Sequence, residues 1–414
     1  MSSGPLGGGG LLCALMSALS PSSVRRAWLR KAAETARCAP DGEVITGHHN
    51  ENVVAPLGPG LTLLFRTGDK LFGLKGKSRG KFRMPLDTLQ VVPRLWESEK
   101  AVLDAVRRSV SRVPRCLAEL EGWSLHSYQP GAPLSEVAPD GEVGTARLEA
   151  FADLFARLTD VRLKWLPKLP DGYPTEGSRQ FLGWLARFAQ EKVYEANRRR
   201  FGELFRTVGV PDNPIDTFLD RLDRSTRLTD RPFSVLHTDL HRANVIVSDV
   251  PGVGERLCFI DWELALYGDP VHDLATHLVR MGYGDREREA MKELWAIRMK
   301  ESRSGRMVEN WREDLDWYLA FEYVQSVFPD TMRAALSLGG EPTEQDFDAA
   351  AQRIHRAVAR AAVPLGLSTW PEPALVRKGL CSWHENDLRD RDTVAPDAGD
   401  ADPGLSCGAS RTGA

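Results

Sequence analysis

Cysteine is scarce in this chain, and the six present do not pair up. Cys13, Cys38, Cys116, Cys258, Cys381 and Cys407 stand far apart, with no C-x-x-C spacing. That scatter argues against a zinc site and against a disulfide framework, and it fits a reducing cytoplasm. Cys258 lies in a predicted strand and reads as a small buried hydrophobe. No uninterrupted apolar run approaches the ~20 residues that a membrane-crossing helix needs. The Gly-rich then apolar start, Gly7 to Ala18, lacks a preceding basic region, so no signal peptide is expected. An excess of one charge is missing too. With 54 Lys and Arg against 57 Asp and Glu, the net charge of −3 gives no broad grip on nucleic acid or an anionic membrane. The run Arg198-Arg199-Arg200 is local and reads as a solvated helix end, since no nucleic-acid-binding motif accompanies it. There is no internal repeat. What remains is a chain of 414 residues, 42% hydrophobic and 27% charged, long enough to bury a large core.

Chemistry concentrates between Phe233 and Ala275. His237, Asp239 and Asn244 form H-x-D-x-x-x-x-N, and Asp261 follows a predicted hairpin. An apolar strand (Phe233, Val235, Leu236) leads into the loop, and Val245-Ile246-Val247 leads away from it. A Pro- and Gly-containing turn between Asp249 and Glu255 reverses the chain. Leu257 to Ile260 then returns, which sets Asp261 beside Asn244 at the hairpin's open end. One carboxylate to orient an attacking hydroxyl, with an amide and a second carboxylate to hold magnesium against nucleotide phosphates, is the equipment of phosphoryl transfer.

These residues resemble those of the aminoglycoside phosphotransferase and choline kinase group of small-molecule kinases. The group's H-x-D-x-H-x-x-N loop stands here as His237-Thr238-Asp239-Leu240-His241-Arg242-Ala243-Asn244. Its metal motif stands as Ile260-Asp261-Trp262-Glu263, and its D-P-x-x-D-L-A signature as Asp269-Pro270-Val271-His272-Asp273-Leu274-Ala275. The resemblance implies that Asp239 is the catalytic base or hydroxyl-positioning residue and that Asn244 and Asp261 bind Mg²⁺. It implies ATP as phosphoryl donor, a small-molecule hydroxyl as acceptor, and a two-lobed, protein-kinase-like α+β fold. His237 braces the loop in this reading. His241 either approaches the transferred phosphoryl or stabilises the loop. Asp273 holds loop backbone donors, and Glu263 assists the metal, faces substrate or fixes the loop. Only Trp262 to Gly268 separate Asp261 from Asp269, and no A-P-E element follows. That leaves little room for an activation segment, which favours a small acceptor over a protein.

The amino-terminal lobe is expected from about Gly47 to Tyr128. The segment Gly47 to Val54, with Asn50 in it, resembles the Gly- and Asn-containing turn between the first two strands of related kinases, whose backbone amides could cover ATP phosphates, or it is a plain turn. Leu61 to Phe65, Lys81 to Met84 and Leu89 to Leu95 read as strands, and Ser98 to Arg108 as an amphipathic helix. Glu99 at the head of that helix suits the acid that holds a phosphate-binding cation. The cation is Arg94, in the last strand before the helix, or Lys81; either could instead be a solvated surface charge. Trp123 to Gly131 reads as the last strand running into a hinge, where Ser127 and Tyr128 would border the nucleotide.

Beyond the hinge, helical periodicity dominates: Ala146 to Leu158, Gln180 to Phe205, Pro214 to Leu222, Val271 to Met281, Glu287 to Met299, Glu313 to Val327, Pro329 to Leu338 and Asp346 to Ala362. The expected divisions are a disordered start over 1–22, a helix near Ser23 to Ala36 and the nucleotide lobe to 128, a catalytic helical lobe over 129–364, and an extension that is disordered from Glu385. Asp314, Asp316, Glu322 and Asp330 lie where acids could meet a cationic acceptor. An alternative to the kinase is a nucleotide-binding, pseudokinase-like regulatory module without turnover. Neither nucleic acid nor membrane is an expected partner.

Overall fold

Strand-forming alternation near the start of the chain builds an antiparallel sheet, and this sheet carries one side of the site. The computed structural model describes residues 43–46, 50–56, 79–85, 91–120, 123–224 and 228–394. The sheet contains β1 (Glu43–Thr46), β2 (Asn50–Pro56), β3 (Arg79–Pro85), β4 (Cys116–Leu120) and β5 (Trp123–Ser127), in the order β1-β2-β3-β5-β4. β3 is central. Lys81 stands opposite Val54 on one side and His126 on the other, and Arg83 opposite Asn52 and Ser124. Because strand side chains alternate, Lys81 and Arg83 share a face. The expected start over 1–22, the helix at Ser23 to Ala36, residues 47–49 of the turn and the strand at Leu61 to Phe65 lie outside the described residues.

Helix α1 (Glu99–Val106) starts where Ser98 caps it, its hydroxyl accepting from the amide of Ala101. Val102, Leu103, Ala105 and Val106 bury one side of the helix. The strand expected over Leu89 to Leu95 does not form in its described part. Residues 91–98 are irregular, with Val91, Leu95 and Trp96 buried but Pro93 unable to donate a ladder hydrogen bond. Apolar content there reflects burial, not pairing.

Next come β6 (Ala132–Pro133), α2 (Leu134–Val137), α3 (Thr145–Leu158), α4 (Ser178–Phe188), a π-helical turn (Ala189–Glu195), α5 (Ala196–Thr207) and α6 (Pro214–Arg224). The single helix expected from Gln180 to Phe205 is thus interrupted by the π turn. The catalytic segment contributes β7 (Ser234–Leu236), a short 3₁₀ helix (Arg242–Asn244), β8 (Val245–Val250), β9 (Gly254–Phe259) and β10 (Leu266–Gly268). β8 and β9 form the expected hairpin, from Val245 opposite Phe259 to Val250 opposite Gly254. Its turn uses positive φ at Gly252 and Gly254, a conformation glycine adopts without steric cost. β10 pairs with β7.

Helices α7 (Pro270–Arg280), α8 (Asp285–Lys300), α9 (Trp311–Leu336), α10 (Glu344–Ala361) and α11 (Pro373–Val394) complete the chain. The two helices expected on either side of Phe328 are one, since Pro329 sits inside α9. Order continues to Val394, past the Glu385 at which composition placed disorder, because Val376, Leu380, Trp383 and His384 give α11 a buried side. The architecture is α+β and two-lobed, a small β-rich lobe followed by a mainly helical one.

By compactness the chain divides into Met1–Phe188 with Ser225–Glu322, and Ala189–Arg224 with Tyr323–Ala414, a division that does not fall at the expected hinge near residue 128. The first unit holds the sheet and the catalytic segment. Its core places α3 beneath the hairpin, with Phe151 against Phe259 and both Phe151 and Phe155 edge-on to His277. The second unit is helical. In it Trp383 stacks on Phe201, and its indole nitrogen donates to the Arg200 carbonyl at 2.9 Å. Among the described residues, no helix is long and apolar enough to cross a membrane.

Candidate active site

Strand β7 ends at Leu236, and the next residues are held by one buried carboxylate. Asp273 in the first turn of α7 accepts from the amides of His237 and Thr238 at 2.8 and 2.7 Å, the bracing role that the resemblance implied for it. Thr238 adopts φ 60°, the left-handed region that a β-branched residue avoids. Its hydroxyl donates to the Leu264 carbonyl at 2.6 Å. Such a conformation costs about 1–3 kcal/mol and persists only where surrounding bonds enforce it. His237 is fully buried against Trp262. Its Nδ1 accepts from the Asp239 amide at 3.3 Å, so Nε2 carries the proton and donates to the Ile260 carbonyl at 3.1 Å. Burial lowers its pKa, and a neutral imidazole with both nitrogens engaged is a brace between the two loops.

Asp239 is gripped at both oxygens. Arg280 donates to Oδ1, and the Asn244 amide donates to Oδ2 at 3.0 Å. His241 Nε2 lies 3.6 Å from Oδ2. Burial works to raise this carboxyl, but Arg280, with His241 and His237, holds it well below the usual carboxylate range. Asn244 Nδ2 also donates to the Asp239 carbonyl at 2.9 Å, so its donor contacts fall on nitrogen and Oδ1 remains as the acceptor atom. The hairpin brings Asp261 alongside: the amide of Ile260 donates to the Asn244 carbonyl at 3.0 Å. Asp261 itself has φ 67°, a second strained residue one step before the buried Trp262.

From the sheet lobe, Arg83 reaches into this group. It donates to Glu99 Oε2 at 2.5 Å and to Asp261 Oδ1 at 2.7 Å, and it lies 3.7 Å from Glu263. The other Glu99 oxygen accepts from the Trp262 amide at 2.9 Å, which ties α1 to the metal motif. Burial would raise Glu99, but Arg83, then His126 and that amide, pull it down to about 2. Burial and Asp261 push Glu263 up to about 6. Burial also lowers Lys81, with Arg83 beside it acting in the same direction.

Most of the residues singled out from the sequence therefore meet: Asp239, His237, His241, Asn244 and Asp261 form one cluster, and Glu99 joins it. Arg94 does not reach Glu99. It pairs with Glu263 at the rim, its side chain 41% exposed. Glu99 is matched instead by Arg83, which sequence reasoning passed over. The available signal was the alternation Lys81-Phe82-Arg83, which puts two cations on one face of a strand. Ser127 accepts from the Arg115 amide at 2.9 Å and from Gln129, so its hydroxyl fixes the end of β5. Tyr128 is half-buried just beyond, and Asn50 opens β2, its side chain outside the described residues. Of the acids considered for a cationic acceptor, Asp314 is engaged by Arg231, Glu322 lies buried 3.8 Å from His272, and Asp330 faces Arg360 at 3.6 Å. Asp316 is exposed.

A family model described as a phosphotransferase enzyme family matches residues 85–306, more than half of the chain. Among solved structures, a Plasmodium vivax ethanolamine kinase is similar in fold at 11% identity and a TM-score of 0.53, over 88% of this chain and 95% of that one. A choline kinase from Streptococcus pneumoniae shares 15% identity at a TM-score of 0.47, over 81% of this chain and 98% of its own. No curated protein matches in sequence.

Proposed function

The chain belongs to the phosphotransferase enzyme family, acting on small-molecule hydroxyl groups, and on that premise we propose that it moves the γ-phosphoryl of ATP to its acceptor with Mg²⁺. The observation that carries this reading is the convergence of Asp239, Asn244 and Asp261 at one hairpin mouth, faced by Arg83 from the sheet. Asn244 Oδ1 and the Asp261 carboxylate are hard oxygen donors, the kind Mg²⁺ prefers. Among the described residues no group of three or more His, Cys, Asp or Glu side chains could hold a metal by itself. Two protein ligands completed by nucleotide phosphates suit Mg²⁺ better than a protein cage. Bound there, the ion would neutralise charge on the phosphates.

The chain's own residues supply the rest. Asp239, kept ionised, accepts a hydrogen bond from the acceptor hydroxyl and aims it. Glu99 fixes Arg83, and Arg83 with Lys81 offers positive charge at the phosphate end. Arg94 takes the lesser part of a rim residue that steadies Glu263, while His237 and His241 keep the loop in shape. The buried thiols of Cys116 and Cys258 support a reducing, cytoplasmic setting.

The test is turnover of Mg·ATP, with water or a panel of small alcohols as acceptor. Asp239→Asn should reduce kcat by roughly 10²–10⁴-fold, the usual span for a positioned acid–base group, while nucleotide binding persists. Nucleotide binding without turnover by the wild type would favour the regulatory-module alternative.

A further inference from the structure

One face of α7 touches the catalytic loop at three successive places. Asp273, His277 and Arg280 are spaced i, i+4 and i+7, so they line one side of the helix. Asp273 takes the amides of His237 and Thr238. One turn on, His277 Nδ1 donates to the Leu240 carbonyl at 2.9 Å, and its Nε2 accepts from the Tyr283 hydroxyl at 2.8 Å. At the helix end, Arg280 meets the side chain of Asp239 itself. The first two contacts fix backbone and are buried. The third fixes the reacting carboxylate and stays partly open, with Arg280 23% and Asp239 14% exposed.

We propose that Arg280 is a positioning residue for phosphoryl transfer, holding Oδ1 of Asp239 so that the carboxylate keeps one orientation toward the attacking hydroxyl. The proposal rests on the phosphotransfer reading above. Asn244 holds Oδ2, and Arg280 holds Oδ1 from α7. A carboxylate carries about four lone-pair sites, so one bond to each oxygen leaves room for the incoming hydroxyl. Two anchors on different elements stop the group from rotating about its last torsion, and misplacement by about 1 Å can cost ~10²-fold in rate. Arg280 lies beyond the D-P-x-x-D-L-A signature, 41 residues along the chain from its partner Asp239.

The experiment is a double-substitution cycle on the full chain, with Mg·ATP hydrolysis as readout. Arg280→Met should lower kcat by about 10–100-fold with the KM for ATP within about twofold, since the nucleotide side is untouched. Arg280→Lys should recover part of the loss, having a charge but not the fork. In an Asp239→Asn background, Arg280→Met should cost less than about twofold further, because residues acting as a unit are not additive. Full loss in both backgrounds, or a loss that follows thermal unfolding, would overturn the proposal and assign Arg280 to stability alone. Full activity of Arg280→Met in a chain whose wild type hydrolyses Mg·ATP would also overturn it while the kinase reading stands. Absence of Mg·ATP turnover in the wild type would overturn both.

Discussion

Two arginines in the first unit each gather several carboxylates, and the contrast between them separates scaffold from site. Arg231 is fully buried. It pairs with Asp269 at 2.8 Å and with Asp314, and donates to the Glu309 carbonyl at 2.6 Å; Tyr318 closes the group by donating to Asp269 at 3.0 Å. Asp269 also caps α7, accepting from the Val271 amide. Every carboxylate here has a fixed structural partner. Arg83 is nearly as buried and draws on three acids where Arg231 draws on two, but Asp261 remains 27% exposed and sits on strained backbone. A closed network holds elements together. An open one, with one carboxylate left accessible at an enforced φ, is where chemistry can enter.

The largest effect expected is on the closed network. Arg231→Met should lower unfolding free energy by about 3–5 kcal/mol, because it leaves two carboxylates buried without their cation. Denaturant unfolding should give the same loss with and without Mg·ATP; restoration by nucleotide would place Arg231 in the site and break the contrast.

Acid titration should come next. Burial lowers His272 and His277 to about 3 and His126 to about 4. The unfolded chain binds these protons near pH 6.5 and the folded chain only well below, so stability falls as pH drops below 6.5. Between pH 7 and 5 each histidine contributes a loss of up to about 2 kcal/mol. Glu263 and Asp273, raised to about 6 by burial, bind protons first in the folded state and offset part of it. His272→Gln should flatten the pH dependence of thermal unfolding, and an unchanged curve would contradict the burial assignment.

Within the open network, Arg83→Lys should reduce kcat/KM for ATP by about tenfold (~1.4 kcal/mol), since an ammonium cannot span Glu99 and Asp261 as the guanidinium does. Arg94→Ala, at the exposed rim, should change it by less than about threefold. Steady-state kinetics of both variants with Mg·ATP decide the order, and the reverse ranking would return the phosphate cation to Arg94. Smallest is Thr343→Ala in the capping box of α10, expected to cost about 1 kcal/mol of stability and no activity. Activity lost there beyond the stability change would couple α10 to the chemistry.

The parts legible in the sequence were those whose partners are close along the chain. Asp239, Asn244 and Asp261 meet through a single hairpin whose strands and turn are written in local residues. Arg83 was legible only as one of two cations on a face of its strand; its entry into the site through Asp261, 178 residues away, depends on which strand lies over the loop. Burial also misled where it imitates pairing, as at Val91 to Leu95. A proline marks a helix end only when the chain turns there, and α9 continues through Pro329.

The most direct test is thermal unfolding with ATP, with and without Mg²⁺, in wild type and Asp261→Ala. Binding at about 100 times the dissociation constant should stabilise the wild type by ~2.7 kcal/mol. The Mg²⁺-dependent part of that shift should vanish in Asp261→Ala. An equal Mg²⁺-dependent shift in both proteins would contradict the assignment of the metal to the hairpin mouth.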